Sequence, residues 1–151
     1  MDSLTKREII LDNYSNPFNK VNEEVEGYIK ENSRNESCID NIDLYVTFDK
    51  DRIKDITFNG EACAISTSST SIMIKNLIGL TIEEAKNYIN NFNAMVDEKE
   101  YDKSILNEAL AYDEIYKQKS RKTCATLPYT AVIKAIEKYL DKIWHVHCFV
   151  V

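Results

Sequence analysis

The sequence predicts an α+β fold, a small antiparallel sheet of about three strands packed by helices that follow it in the chain. Three observations carry this. Ile42, Leu44, Val46 and Phe48 alternate with Asp43, Tyr45 and Thr47, the two-residue period of a strand with one buried face. From Cys63 onward the period becomes helical, with Ile65, Ile72, Met73, Asn76, Leu77 and Leu80 on one side. Only three glycines and two prolines occur in 151 residues, and no stretch reads as a linker. One domain over residues 1–151 is expected, long enough to bury well over half of its unfolded surface.

Taken in order, Thr5 and Glu8 form a capping box and Leu4 with Ile9 a hydrophobic staple. The first helix should therefore run to about Tyr14 and stop before Asn16-Pro17. Val25 to Ile29 reads as a first strand. The alternating run from Ile42 turns at Asp49-Lys50-Asp51 into a second run through Ile53, Ile56 and Phe58, a hairpin with one wet face. Ser66 to Ser71 resembles a linker in composition, yet the apolar residues around it make it the tightly packed first turns of a buried helix. Gly79 stops that helix, and Thr81 with Glu84 caps the next. A further helix is expected over about Ser104 to Tyr116. The last carries Tyr129, Val132, Ile133, Ile136, Leu140 and Ile143 on one stripe, with Pro128 fitting only in its first turn. Cys63 and Cys124 then both lie near helix N-termini.

The net charge of -6 and the scattered lysines and arginines argue against nucleic acid as a partner. The first residues form no apolar signal region, and no segment approaches the ~20 apolar residues that span a bilayer. The expectation is a cytoplasmic protein with no membrane association. Thiols stay reduced there, which turns attention from disulfides to metal binding or catalysis.

Cys38, Cys63 and Cys124 each sit in a short polar segment, and Asp40 follows Cys38 by two residues. Three thiolates and a carboxylate suit a tetrahedral Zn²⁺ site, because a borderline-soft cation takes sulfur readily and tolerates oxygen in the fourth place. Displacing one ligand would free a coordination position or a sulfur nucleophile. A helix N-terminus favours an anionic sulfur, and Arg121, three residues before Cys124, can offset the surplus negative charge. No CxxC pair is present. From these residues alone, the cysteines also fit as small buried hydrophobes, Asp40 as a turn residue and Arg121 as a solvated surface charge. The tail Trp144-His145-Val146-His147-Cys148 reads as an apolar stretch that packs on the domain or a second subunit, with metal binding by His145, His147 and Cys148 the lesser alternative.

As a set, Ile10-Leu11-Asp12-Asn13-Tyr14 with Asn16-Pro17, Cys38-Ile39-Asp40, Phe58-Asn59-Gly60 leading to Cys63-Ala64-Ile65-Ser66, and Arg121-Lys122-Thr123-Cys124-Ala125-Thr126-Leu127 carry a resemblance over about residues 4 to 140. The chain resembles the U-type iron-sulfur cluster assembly proteins (NifU N-terminal or IscU-like), and within them the SufU type. The resemblance implies a small antiparallel sheet packed by helices and Cys38, Asp40, Cys63 and Cys124 as ligands of zinc. It implies a sulfur acceptor that takes persulfide from a pyridoxal-phosphate-dependent cysteine desulfurase, with Cys38 as the accepting thiol and Arg121 beside the site. Downstream iron-sulfur acceptor or scaffold proteins would receive the sulfur. The alternative is a scaffold that holds a transient iron-sulfur cluster on the same ligands. Thr123 stands where the IscU scaffold type has histidine, and an extra segment around Asp97 to Lys103 is typical of the SufU type. Departures from the pattern are Ile39 for a usual glycine, Asn13 for histidine, Glu36 for proline, and Phe18 and Val21 where arginine and glycine are common. At Ile39 a β-branched residue resists the positive φ that glycine permits.

Overall fold

The computed structural model describes the backbone of residues 1–150 and the side chains of residues 1–145. Helix α1 (Ser3–Ser15) is followed by strands β1 (Ile29–Arg34), β2 (Asn41–Asp49) and β3 (Arg52–Glu61), then helices α2 (Ala64–Leu77), α3 (Ile82–Val96) and α4 (Lys119–Val150). The three strands form one antiparallel sheet in the order β1-β2-β3, which is the α+β arrangement expected. Helix α2 lies at the centre of the molecule, in contact with β3, α1 and α4. Among the described residues no helix is long and apolar enough to cross a membrane.

Several local expectations shift by a few residues for identifiable reasons. Asp2, not Thr5, caps α1, its Oδ1 accepting from the Thr5 amide at 2.8 Å, so the expected Thr5–Glu8 box does not form. An ionised carboxylate at this position satisfies an orphan N–H and meets the positive end of the helix dipole. Strand β1 begins at Ile29, where the expected strand ends. Its register against β2 runs from Ile29 opposite Val46 to Arg34 opposite Asn41, so pairing makes this polar segment a strand without an alternating pattern. The hairpin is as read, with Lys50 at φ 58° in its turn. Its outer face is not fully wet, since Tyr45 is 2% exposed and Tyr28 donates to Asp55 Oδ2 at 2.6 Å, and residues 19–21 pair with the Phe58 backbone along the edge of β3.

Downstream, the Thr81–Glu84 capping box is present in both directions. The helix expected over Ser104 to Tyr116 is instead three 3₁₀ turns, Lys103–Ile105, Asn107–Tyr112 and Ile115–Lys117. Leu106, Ala109, Tyr112 and Ile115 are all buried at a spacing of three, which eclipses side chains in a 3₁₀ helix, and Asn107 at φ 51° interrupts any continuous α-helix. Helix α4 starts at Lys119, so Pro128 stands in its interior and not in its first turn. Trp144 is exposed and His145 Nε2 lies 3.5 Å from Asp141 Oδ2, while His147 and Cys148 fall outside the described side chains.

The serine-rich start of α2 is wholly inside: Ser66, Ser68, Ser69 and Ser71 are each 0% exposed. Small side chains let neighbouring elements approach, and buried hydroxyls are tolerated because each is hydrogen-bonded. Ser68 pairs with the Tyr112 hydroxyl at 2.6 Å, Ser69 donates to the Ala125 carbonyl at 2.6 Å, and Ser71 donates to Asn13 Oδ1 at 2.8 Å. These bonds tie α2 to the 3₁₀ segment, α4 and α1.

Candidate metal centre

The site forms where the β1–β2 loop, the end of β3, the start of α2 and the second turn of α4 meet. Gly60 permits that convergence. Its φ is +122°, and a Cβ there would stand 2.1 Å from the Asn41 carbonyl oxygen, so only glycine lets β3 run this close to the start of β2. The loop ahead of β2 is closed by Asn35: its Oδ1 accepts from the Ser37 amide (3.2 Å) and hydroxyl (2.8 Å), and its carbonyl accepts from the Cys38 amide (3.1 Å). Ile39 is absent from the positive-φ residues, so the loop takes a β-branched side chain there without backbone strain.

Cys63 is the N-cap of α2, with Sγ accepting from the Ser66 amide at 3.5 Å. Cys124 departs from expectation. It lies in the second turn of α4, not at a helix N-terminus, because α4 begins at Lys119.

One ligand atom from each of Cys38, Asp40, Cys63 and Cys124 can be chosen so that all lie within 4.8 Å of one another. A tetrahedral ion with Zn–S bonds of ~2.3 Å sets its sulfurs about 3.8 Å apart, so small side-chain adjustments suffice to enclose one. Three sulfurs and one carboxylate also match the preference of a borderline-soft cation, and the group fits zinc. Exposure is graded: Cys38 is exposed, Cys63 half-buried, and Cys124 and Asp40 are buried at 5% and 2%. A cleft of ≈ 300 Å³ opens on the site, lined by Asn35, Ser37, Cys38, Cys63, Ser120, Arg121 and Cys124. Arg121 is exposed on α4 at its rim.

The electrostatics of the buried pair differ in sign. Burial pushes the Asp40 carboxyl pKa up, but the Cys63 amide on Oδ1 (2.7 Å) and the Ser66 hydroxyl on Oδ2 (2.6 Å) outweigh it and hold the group below its ordinary value. Burial, then the neighbouring Asp40 and Cys63, push the Cys124 thiol up to about 12. Without a cation Cys124 therefore keeps its proton. A divalent ion in the site reverses that balance, since a coordinating thiol is deprotonated outright.

Two residues here were given no role at the site by the sequence. Ser66 contacts Asp40, and Asn35 Nδ2 lies 3.6 Å from Cys124 Sγ. The available signal for Ser66 was its position three residues after a helix N-cap, where the backbone folds back on the cap. Asn35 carries no such mark.

Comparison with known proteins settles the family. The chain matches the NifU-like N terminal domain over residues 5–145. It belongs to the NifU-like N-terminal domain family. The zinc-dependent sulfurtransferase SufU of Bacillus subtilis (strain 168) is 37% identical to this NifU-like domain over 135 residues, 87% of this chain and 89% of that protein. The iron-sulfur cluster assembly scaffold protein IscU of Streptococcus pyogenes serotype M1 is 39% identical over 105 residues, 69% of this chain and 66% of that protein. Among solved structures, FiSufU of Fervidobacterium islandicum AW-1 superposes with a TM-score of 0.77 at 33% identity, covering 85% of this chain and 93% of the other. A NifU-like N-terminal protein of Brucella abortus reaches 0.81 at 18% identity, covering 93% and 99%, and shows the shared fold alone. The U-type resemblance and the α+β fold read from the sequence are those of the NifU-like family.

The segment around Asp97 to Lys103 follows α3 and is tied back to the site helix by a salt bridge between Asp97 and Lys122, two residues from Cys124.

Proposed function

We propose that this chain works in iron-sulfur cluster assembly as a zinc-dependent acceptor of persulfide sulfur from a pyridoxal-phosphate-dependent cysteine desulfurase. One observation supports this above the rest: three sulfurs and a carboxylate converge within 4.8 Å, and only one of the sulfurs, that of Cys38, is exposed. Zinc, when bound, would hold the thiolates deprotonated and restrained.

Cys38, Asp40, Cys63 and Cys124 are the ligands in this reading. Asp40 is the fixed oxygen, held by the Cys63 amide and the Ser66 hydroxyl. Cys38 is the accepting thiol because its place in the cleft lets a second protein approach. Its thiolate attacks the terminal sulfur of the desulfurase persulfide. An S–S bond forms at Cys38 as the S–S bond of the desulfurase breaks, and the desulfurase cysteine leaves as a thiolate. No net oxidation or reduction occurs in the exchange. Arg121 at the rim offsets the negative charge of the incoming persulfide. The sulfur then passes to downstream iron-sulfur acceptor or scaffold proteins. The chemistry needs reduced thiols, which places the protein in the cytoplasm, acting as one domain over residues 1–151.

The test is alanine production by the cognate desulfurase, with and without this protein. Stimulation by the wild type and none by Cys38→Ala is expected; equal stimulation by the variant overturns the assignment of Cys38. The second reading, a scaffold for a transient iron-sulfur cluster, draws on the same ligands and on the identity with the Streptococcus pyogenes scaffold. Anaerobic reconstitution that yields a stable chromophore, transferable to an apo-acceptor and competed by zinc, would favour it.

A further inference from the structure

Helix α4 carries Pro128 in its interior. Proline has no amide hydrogen, so the carbonyl four residues earlier, that of Cys124, is left without its helical partner. A buried carbonyl without a partner is costly. The Ser66 hydroxyl stands 3.0 Å from that oxygen and 2.6 Å from Asp40 Oδ2, with Ser66 itself 0% exposed. One hydroxyl has one proton, and here two acceptors compete for it.

We propose that Ser66 is the positioning residue of the metal centre, its single proton shared between the Asp40 carboxylate and the Cys124 carbonyl that Pro128 leaves without an amide partner. The inference rests on the metal reading above and deepens it. Asp40 and Cys124 come from segments far apart in the chain, the first ahead of β2 and the second on α4. Ser66 hydrogen-bonds both the Asp40 carboxylate and the Cys124 carbonyl, from the first turn of α2, whose N-cap is a third ligand in that reading, Cys63. Its shorter bond is to the ionised acceptor, as charge-assisted hydrogen bonds are. Asp40 is too buried for water to replace that bond, so without Ser66 the carboxylate keeps the Cys63 amide on Oδ1 but loses the short bond on Oδ2, where the Cys63 sulfur remains, at 3.7 Å.

Ser69 supplies an internal control. It is equally buried on the same helix and donates to the next carbonyl of α4, that of Ala125, at 2.6 Å. Its one hydrogen bond is made to α4 and none to a ligand side chain.

The experiment measures zinc dissociation by chelator competition, the ligand-field bands of the cobalt(II) form, and urea unfolding of the metal-free chain. Ser66→Ala should lose stability, weaken zinc roughly 10–100-fold and alter the cobalt bands. Ser69→Ala should lose stability and leave zinc affinity and cobalt bands unchanged. Pro128→Ala returns an amide to the Cys124 carbonyl, so Ser66→Ala with Pro128→Ala should recover stability without recovering zinc affinity. If Ser66→Ala alone does not fold, the double variant carries the measurement against Pro128→Ala. The proposal is overturned if the Ser66 variants hold zinc as tightly as their parents, if Ser69→Ala weakens zinc equally, or if zinc affinity returns together with stability. A wild type that binds no zinc would instead bring down the metal reading and this inference with it.

Discussion

Replacing Gly60 with alanine tests whether the close approach of β3 to β2 builds the site. Two costs add. A φ of +122° lies where side-chain-bearing residues are strained by roughly 1–3 kcal/mol. The new Cβ would also meet the Asn41 carbonyl oxygen at 2.1 Å, and backbone, unlike a flexible side-chain tip, cannot swing aside. The strands must part by about 1 Å or more to restore an ordinary contact. That separation falls where Asn41 pairs with Glu61 and Ile42 with Gly60, and weakening one or two of those ladder bonds costs about 0.5–1.5 kcal/mol each. A total near 3 kcal/mol follows, equivalent to a fall in Tm of roughly 6–12 °C for a chain of this size. Gly27 is the control, since it also has positive φ, +82°, but nothing lies within 4 Å of its missing Cβ. Gly27→Ala should cost only about 1 kcal/mol. Urea unfolding of both metal-free variants under reducing conditions gives the comparison. Because Asp40 adjoins Asn41, zinc affinity should fall for Gly60→Ala and hold for Gly27→Ala. Equal destabilisation by the two substitutions would refute the reasoning.

Two further outcomes are expected. Asp40→Asn keeps the shape of the side chain but removes the charge, and should weaken zinc by more than the roughly 10–100-fold typical of losing an outer-shell partner; chelator competition reads it, and unchanged affinity would remove Asp40 from the ligand set. In the metal-free chain, timed alkylation followed by mass spectrometry should label Cys38 first, Cys63 next and Cys124 last, because Cys124 is 5% exposed and its thiol is pushed up to about 12. Simultaneous labelling of Cys38 and Cys124 would contradict the graded burial.

Much of the framework was legible because it is written in local patterns. The alternation from Ile42 to Phe48 specified a hairpin, Thr81 with Glu84 specified a cap, and the serine run was recognisable as buried helix from its apolar flanks. The cap of α1 was missed by three residues, with Asp2 in place of Thr5, while β1 and the start of α4 were decided by partners distant in sequence. Strand β1 is polar and exists because β2 pairs with it. The 3₁₀ turns after α3 bury every third residue, a spacing that a short window cannot tell from an α-helix. Pro128 reads as a helix start unless the serines that face the neighbouring carbonyls of α4 are known.

The candidate ligands were carried by the sequence alone: three cysteines in polar segments, an aspartate two residues beyond the first, and flanking motifs that resemble one family. Their meeting was decided by the tertiary structure. Gly60 lets two strands touch, and Ser66 reaches both Asp40 and α4, where groups up to 86 residues apart come within 4.8 Å of one another. Periodicity and capping are properties of neighbouring residues and survive in a one-dimensional reading. A metal centre depends on distances across the fold, which close packing and buried hydrogen bonds set together.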